Sequence, residues 1–178
     1  ELARNAPKRS GQLKAAINGL VQAGSPAAQA ALVDVARSSL EAEEKLARLV
    51  LRMADLDHPR STVTDFLMEL ATAHPSPSMR STALVSLGGC ALLLRKHEAE
   101  RAQGIADSLE QGWRASQDPA TREIWIRAMG NTGHASVFDT VSREIELNHE
   151  TTRLTAISAL RWMPIEAAES TLVDLLIQ

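Results

Sequence analysis

Apolar residues recur every three or four positions along most of the chain, and apolar–polar alternation is not sustained anywhere. The first pattern is typical of amphipathic helices, and the second would have indicated strands. Glycine, proline and asparagine interrupt the pattern at short intervals, and proline is tolerated in the first turn of a helix. The pattern therefore predicts about ten helices, at 8–23, 26–38, 41–55, 59–73, 77–95, 98–115, 119–131, 135–147, 150–162 and 165–177.

Three stretches at alternate helices share one pattern: "RSTALVSLG" from Arg80, "REIWIRAMG" from Arg122 and "RLTAISALR" from Arg153. Each has an arginine, a close-packing position three residues later, and a leucine or methionine seven residues later. Two weaker copies lie earlier in the chain, and the five close-packing positions are Ala16, Ala47, Ala83, Trp125 and Ala156. Spacings between 31 and 42 residues with two helices per unit indicate a solenoid, in which each helix pair buries its apolar face on its neighbours.

The repeats predict an all-α fold, a right-handed α–α superhelix (a HEAT-like solenoid) of about ten helices in antiparallel pairs. Short loops favour antiparallel neighbours, and Ser25, Asp57 and Asp118 are candidate N-caps. We expect a single helical-repeat domain over residues 1–178. Because Glu1 replaces an initial Met and Gln178 stands inside an apolar pattern, we expect this domain to be a fragment of a larger protein.

The amino-acid composition also favours helices, and the net charge argues against one class of function. Hydrophobic residues make up 44% and charged residues 23% of the 178, while aromatic residues make up only 3%. Alanine and leucine, which favour helices, supply most of the apolar positions. The net charge of −3 argues against a dedicated nucleic-acid binder. No signal peptide or transmembrane segment is predicted, and both a cytoplasmic and a secreted or periplasmic location remain open.

No group of residues in the sequence forms a recognisable catalytic or metal-binding motif, and no cofactor is implied. The single cysteine, Cys90, lies among apolar residues and is predicted to be buried and unreactive. All five histidines fall at predicted helix ends, where they can bond free carbonyl groups. The serines lie outside any GxSxG nucleophile motif. We therefore expect that the chain is not an enzyme.

The stretch Gly130-Asn131-Thr132-Gly133 has the spacing of a loop that clamps phosphate groups in some RNA-binding domains. That module needs adjacent strands, which the sequence does not predict. The favoured interpretation is a corner between two helices. Gly130 would end the first helix in a left-handed conformation, and Gly133 would give the turn the backbone freedom it needs before the next helix. Likewise, Arg80, Arg122 and Arg153 could bind an anion in a row, but bonds within the inter-helix turns are favoured.

The stretch "QDPATREIWIRAMG" resembles the second half of a HEAT repeat. From Arg80 to Gln178, the succession of "TALVSLGGCALLLRKH", "AMGNTGHASVFDTVSREI" and "RLTAISALRWMP" resembles the helical domain of large lipid transfer proteins. That group includes vitellogenin, apolipoprotein B and the microsomal triglyceride transfer protein. The resemblance implies a helical arch around lipid-carrying sheets, but this segment has no predicted strands.

Two functions are consistent with these observations. The first is a non-enzymatic scaffold or protein-binding module, whose partner is a protein or another domain of the same chain. The alternative is the helical arch of a vitellogenin-like lipid transfer or lipid-binding protein, with lipid handled by parts outside this segment. Helical wheels place the equivalent positions Val85, Arg127 and Ser158 away from the repeat core. Together with Glu123, Ile126 and Trp162, they form the candidate inner surface for partner binding.

The tryptophans have separate interpretations. Trp125 replaces alanine at a close-packing position, so either the helix crossing widens there or the indole ring fills a gap left by a neighbour. Trp162 can pack on a following helix, which is favoured, or serve as an exposed binding residue. Trp113 is interpreted as an anchor at a helix end.

Overall fold

The computed structural model describes residues 2–146 and 149–177, and these form helices and connecting turns without any strand. The helices, numbered in chain order, are α1 (Leu2–Ala23), α2 (Pro26–Arg37), α3 (Glu43–Met53), α4 (Ser61–Ala73), α5 (Pro77–Leu94), α6 (Ala99–Ala115), α7 (Pro119–Thr132), α8 (Phe138–Arg143), α9 (Glu150–Leu160) and α10 (Glu166–Ile177). A 3-10 turn, Ala135–Val137, precedes α8. The predicted all-α class and helix order are confirmed.

The odd-numbered helices pack in series, α1 on α3, α3 on α5, α5 on α7 and α7 on α9. The even-numbered helices cover one side of this row: α2 packs on α4, and α6 packs on both α5 and α7. The chain thus builds a two-layer superhelix, with one buried core running between the layers. Leu87, Met129 and Leu160 occupy equivalent places in that core and are almost completely buried, as the repeat pattern predicted.

Two glycines bring successive odd helices into close contact. A Cβ atom at Gly88 of α5 would collide with the backbone carbonyl of Ala128 in α7. A Cβ atom at Gly130 of α7 would collide in the same way with Ala159 in α9. Because glycine has no side chain, the helix backbones approach more closely here than larger residues allow.

The close-packing position of the repeat is buried in α5, α7 and α9, as the repeat pattern requires. Ala83 and Ala156 are fully buried, and the ring of Trp125 lies against Gly112 of α6, where a Cβ atom would clash with it. The ring therefore fills the space left by a neighbouring glycine, one of the two alternatives for this residue. The pattern fails in α1, where Ala16 is exposed. Ile17, the next residue, enters the core instead.

The helix boundaries differ from the prediction in three places. α1 begins at Leu2, because Pro7 does not interrupt it. The expected helix 135–147 consists of the 3-10 turn and the short α8, followed by turn residues, and its last residue lies outside the described part of the chain. Asp57 is not the N-cap of α4, which begins at Ser61 without a side-chain cap. Ser25 and Asp118 do cap α2 and α7, and accept hydrogen bonds from Ala28 N at 3.2 Å and Thr121 N at 2.7 Å.

Side chains also tie the loops of neighbouring repeats together. The buried Gln29 donates from Nε2 to the carbonyl oxygens of Gly24 and His58, both at 2.9 Å, and accepts from Arg60 N at 2.8 Å. Arg95 donates from Nη1 to the Gly133 carbonyl at 2.6 Å. These bonds satisfy loop backbone groups that the helices leave free, and so fix each repeat relative to the next.

Candidate functional site

The candidate site lies on neighbouring odd helices, where exposed or half-buried residues recur at intervals of four. Glu123, Arg127 and Asn131 follow one another along α7, and Leu154 and Ser158 do so along α9. Residues four apart lie on one face of a helix, so the two rows run side by side at the α7–α9 contact.

Between these rows lies a groove of about 400 Å³, which we call the α7–α9 groove. Its lining includes Arg127, Asn131, Leu154, Ser158, Arg161 and Trp162. Three of the six predicted partner-binding residues, Arg127, Ser158 and Trp162, therefore lie together in one groove.

Glu123 forms the rim of this groove and orders its polar groups. Its Oε1 accepts hydrogen bonds from Arg127 Nη2 at 3.2 Å and from Thr155 Oγ1 at 3.1 Å. The carboxylate thereby connects α7 to α9 and holds one guanidinium at the edge of the groove. An ion pair this exposed contributes little to stability, so Arg127 can exchange Glu123 for another anionic group.

Trp162 and Leu154 give the groove an apolar part. Trp162 is 48% exposed and Leu154 is 58% exposed. The Arg161 guanidinium lies over the Trp162 ring, with its central carbon 5.0 Å from the ring centroid. Nearly half of Trp162 is therefore open to solvent, more than full packing under a following helix would leave. The stacked cation adds a favourable contact to the ring face.

The other two predicted residues do not lie in the groove. Ile126 is completely buried, so its assignment to an inner surface was wrong. A helical wheel assumes one buried face, but α7 packs against α5, α6 and α9 and is buried on several sides. Val85 is half-buried at the α5–α7 contact, where its carbonyl accepts a hydrogen bond from Asn131 Nδ2 at 3.4 Å.

Sequence reasoning missed Leu154, Arg161 and Asn131. A signal for Arg161 was present, because it stands where the two earlier repeats have Gly88 and Gly130. Unlike the buried Gly88 and Gly130, Arg161 is exposed.

The fold described above is that of a known family. The family model described as the vitellogenin TPR domain matches residues 2–177. The chain belongs to the vitellogenin TPR domain family. The match extends the resemblance seen from Arg80 onward to nearly the whole chain. No curated protein and no solved structure gave a significant match.

In this vitellogenin TPR domain, the stretch from Gly130 to His134 is a helix corner, but Gly130 does not end the helix. Gly130 lies within α7, and the left-handed residue is Gly133, with φ 56°. Gly133 N donates to the Gly130 carbonyl at 2.9 Å, and His134 N donates to Thr132 Oγ1 at 3.0 Å. A phosphate-clamping loop needs free backbone N–H groups, and these two are already used.

The three repeat arginines have different surroundings. Arg80 donates to the carbonyls of His74 and Pro75 at 2.7 and 3.1 Å, within its own inter-helix turn, as favoured. Arg122 lies over the Trp113 ring and pairs with the buried Glu144 at 2.9 Å. Burial raises the pKa of Glu144, and the nearby Arg122 opposes that rise. Arg153 is exposed, so the three do not share a common set of contacts.

In residues 2–146 and 149–177, no three His, Cys, Asp or Glu side chains are placed to hold a metal ion. Cys90 is buried, and burial raises the pKa of its thiol to about 12. None of the described helices is long and apolar enough to cross a membrane.

Proposed function

We propose that this domain is the helical arch of a vitellogenin-like lipid-binding or lipid transfer protein, in which it acts as a non-catalytic docking scaffold. The partner is another domain of the same protein or a separate protein. Membership of the vitellogenin TPR domain family favours the arch, and the α7–α9 groove carries the docking role.

The lining of the groove is the observation that supports protein docking. Two guanidinium groups, an amide and two hydroxyls share the surface with one alanine, one leucine and one tryptophan. Sites for small apolar ligands are lined mainly by apolar side chains, whereas the centres of protein interfaces are enriched in tryptophan and arginine. On this basis, lipid contacts belong to parts of the full-length protein outside this segment.

The proposal for docking is tested with the remaining domains of the full-length protein, expressed separately and used in a binding assay with this domain. Arg127→Glu and Trp162→Ala variants should each weaken the complex, Trp162→Ala by roughly 2 kcal/mol if it is a central contact. Arg143→Glu, an exposed change on α8, is the matched control. If both groove variants bind every partner of the parent domain unchanged, the groove is not the docking site.

The proposal for lipid is tested by mass spectrometry of lipids that co-purify with the protein. We expect lipid with the full-length protein and none in stoichiometric amount with this domain alone. A full-length protein free of lipid would favour a scaffold without lipid transport. Stoichiometric acyl lipid on the isolated domain would instead contradict the docking assignment.

The non-catalytic part of the proposal is tested by screening the domain for hydrolase activity. We expect no turnover. A measurable rate that is abolished by substitution of a single serine, histidine or cysteine would overturn it.

A further inference from the structure

Charge is divided between the two layers of the superhelix. From Gly11 onward, where the structure describes the side chains, the helices α1, α3, α5, α7 and α9 contain eight Lys and Arg against four Asp and Glu, a net charge of +4. The helices α2, α4, α6, α8 and α10 contain four against ten, a net charge of −6. The whole chain carries −3, so its overall charge conceals a basic layer.

A second groove on the basic layer repeats the chemistry of the α7–α9 groove. This α1–α3 groove has a volume of about 390 Å³ and is lined by Leu13, Lys14, Ile17, Arg48, Leu51 and Arg52 with Asn18. In both grooves, cations and large apolar side chains share the lining, and no carboxylate from the described residues contributes to it.

Carboxylates do stand on the rims of both grooves. Arg48 pairs with Glu44 at 2.5 Å, and Arg52 pairs with Asp55 at 2.6 Å. Both pairs are exposed and join residues close together in the sequence, so each contributes little to the stability of the fold. A carboxylate of a partner can therefore replace Glu44 or Asp55. Arg161 has no carboxylate within ion-pair distance in the part of the chain that the structure describes.

We propose that the odd-helix layer binds an acidic amphipathic segment of a partner protein. Carboxylates of the segment pair with Arg127 and Arg161, and its apolar side chains pack on Leu154 and Trp162. The α1–α3 groove provides a second contact of the same kind, with Leu51 as its exposed apolar residue. This inference rests on the proposed docking function and specifies the chemistry of the partner.

A protein segment fits better than the other anionic macromolecules. Nucleic acid is bound through a dense row of phosphate contacts, whereas each groove here offers only two or three cations, which share the lining with large apolar side chains. A flat anionic bilayer contacts protruding surfaces, but the two features here are grooves between helices. Alternating carboxylate and apolar side chains match both parts of the lining.

The direct test is selection of short random peptides displayed on phage against the immobilised domain. We expect enrichment of peptides in which Asp or Glu flanks Leu, Ile, Phe or Trp. A selected peptide, labelled and followed by fluorescence anisotropy, should lose affinity when its Asp and Glu are changed to Asn and Gln. Its affinity should also fall as salt is raised, because screening shortens the range of the charge interaction to about 3 Å at 1 M.

Variants of the domain locate the site. The double variant Arg127→Glu/Arg161→Glu should bind the selected peptide about tenfold more weakly, as expected for two lost charge pairs. Arg143→Glu on α8 should bind as the parent does. Circular dichroism of each variant checks that the helices are retained.

The outcomes separate the inference from the proposed function. Enrichment of basic or uncharged peptides, or no enrichment at all, overturns the acidic partner. So does binding to phosphatidylserine vesicles without binding to any selected peptide. If Trp162→Ala abolishes domain docking while salt and the charge reversals leave it unchanged, the docking function stands and this inference fails.

Discussion

At the scale of single residues, Gly130 has a different structural role from the one that the sequence suggested. The sequence favoured Gly130 as the residue that ends a helix in a left-handed conformation, which would restrict its substitution. The residue lies inside α7, and its substitution is restricted by the backbone and side chain of Ala159 in α9. The left-handed conformation belongs to Gly133, three residues later. A sequence cannot distinguish these causes, because both require glycine.

Replacing Gly130 by alanine should destabilise the domain by about 1–3 kcal/mol, because the added methyl group forces α7 and α9 apart. Gly104 of α6 is the matched control, since it is exposed and nothing lies near its missing Cβ atom. Gly104→Ala should stabilise the domain by roughly 0.5–1 kcal/mol, as expected for a helix interior. Urea denaturation of both variants measures the difference. If Gly130→Ala is as stable as the parent, the close contact with α9 is wrong.

His134 should make stability depend on pH. Partial burial, and secondarily the nearby Arg95, lower the pKa of His134 from 6.5. The unfolded chain therefore takes up the proton at a higher pH than the folded chain. The stability that this residue contributes is present above pH 6.5 and is lost as pH falls from there through the folded pKa.

In the parent, Ser136 N donates a hydrogen bond to His134 Nδ1 at 3.3 Å. His134→Asn removes the titrating group but keeps a side-chain acceptor for this hydrogen bond. Stability measured by urea denaturation from neutral to mildly acidic pH should therefore fall less in the variant than in the parent. Identical slopes would show that His134 titrates alike in both states.

At the scale of elements, the repeat pattern was sufficient to predict the number and order of the helices. It relied on proline at helix starts and on polar caps such as Ser25 and Asp118, and both signals are local. It failed for the segment after His134, where a 3-10 turn interrupts the expected helix. There His134 bonds Ser136 and Val137 departs from α-helical dihedral angles, and neither feature is encoded in the apolar pattern.

Truncation of the equivalent core residues Leu87, Met129 and Leu160 to alanine should each cost roughly 2–5 kcal/mol, because each leaves a cavity between packed helices. Leu51→Ala is the control, since Leu51 is 52% exposed and its loss should cost about 0.5 kcal/mol or less. Denaturant unfolding midpoints of the four variants, compared with that of the parent, measure these losses of stability. A core variant no less stable than Leu51→Ala would contradict the equivalence of the repeats.

At the scale of the whole molecule, the sequence predicted the superhelix but only part of the candidate site. Arg127, Ser158 and Trp162 are exposed and line one groove, and their role in partner binding stays a prediction. Ile126 was misplaced because the helices surrounding α7 cannot be counted from its own sequence. The division of charge between layers also escaped detection, since it appears only when alternate helices are added together.

The single domain predicted over residues 1–178 implies a single unfolding transition. Trp113, Trp125 and Trp162 all lie in the second half of the chain, so their fluorescence reports on that half, whereas far-ultraviolet circular dichroism reports on all helices. We expect the two signals to give the same denaturant midpoint. A fluorescence transition that precedes or follows the loss of helix would indicate two independently folding parts.

The glycine contacts have a mechanical consequence. Gly88 and Gly130 lie in the carboxyl-terminal halves of their helices, so a side chain added at either position would separate the two packed helices more at one end than at the other. We expect the resulting tilts to add along the row of odd helices. Side-chain volume at these two positions would thus change the curvature of the superhelix. Small-angle scattering of Gly88→Ala should detect an altered radius of gyration, while the helical content stays the same.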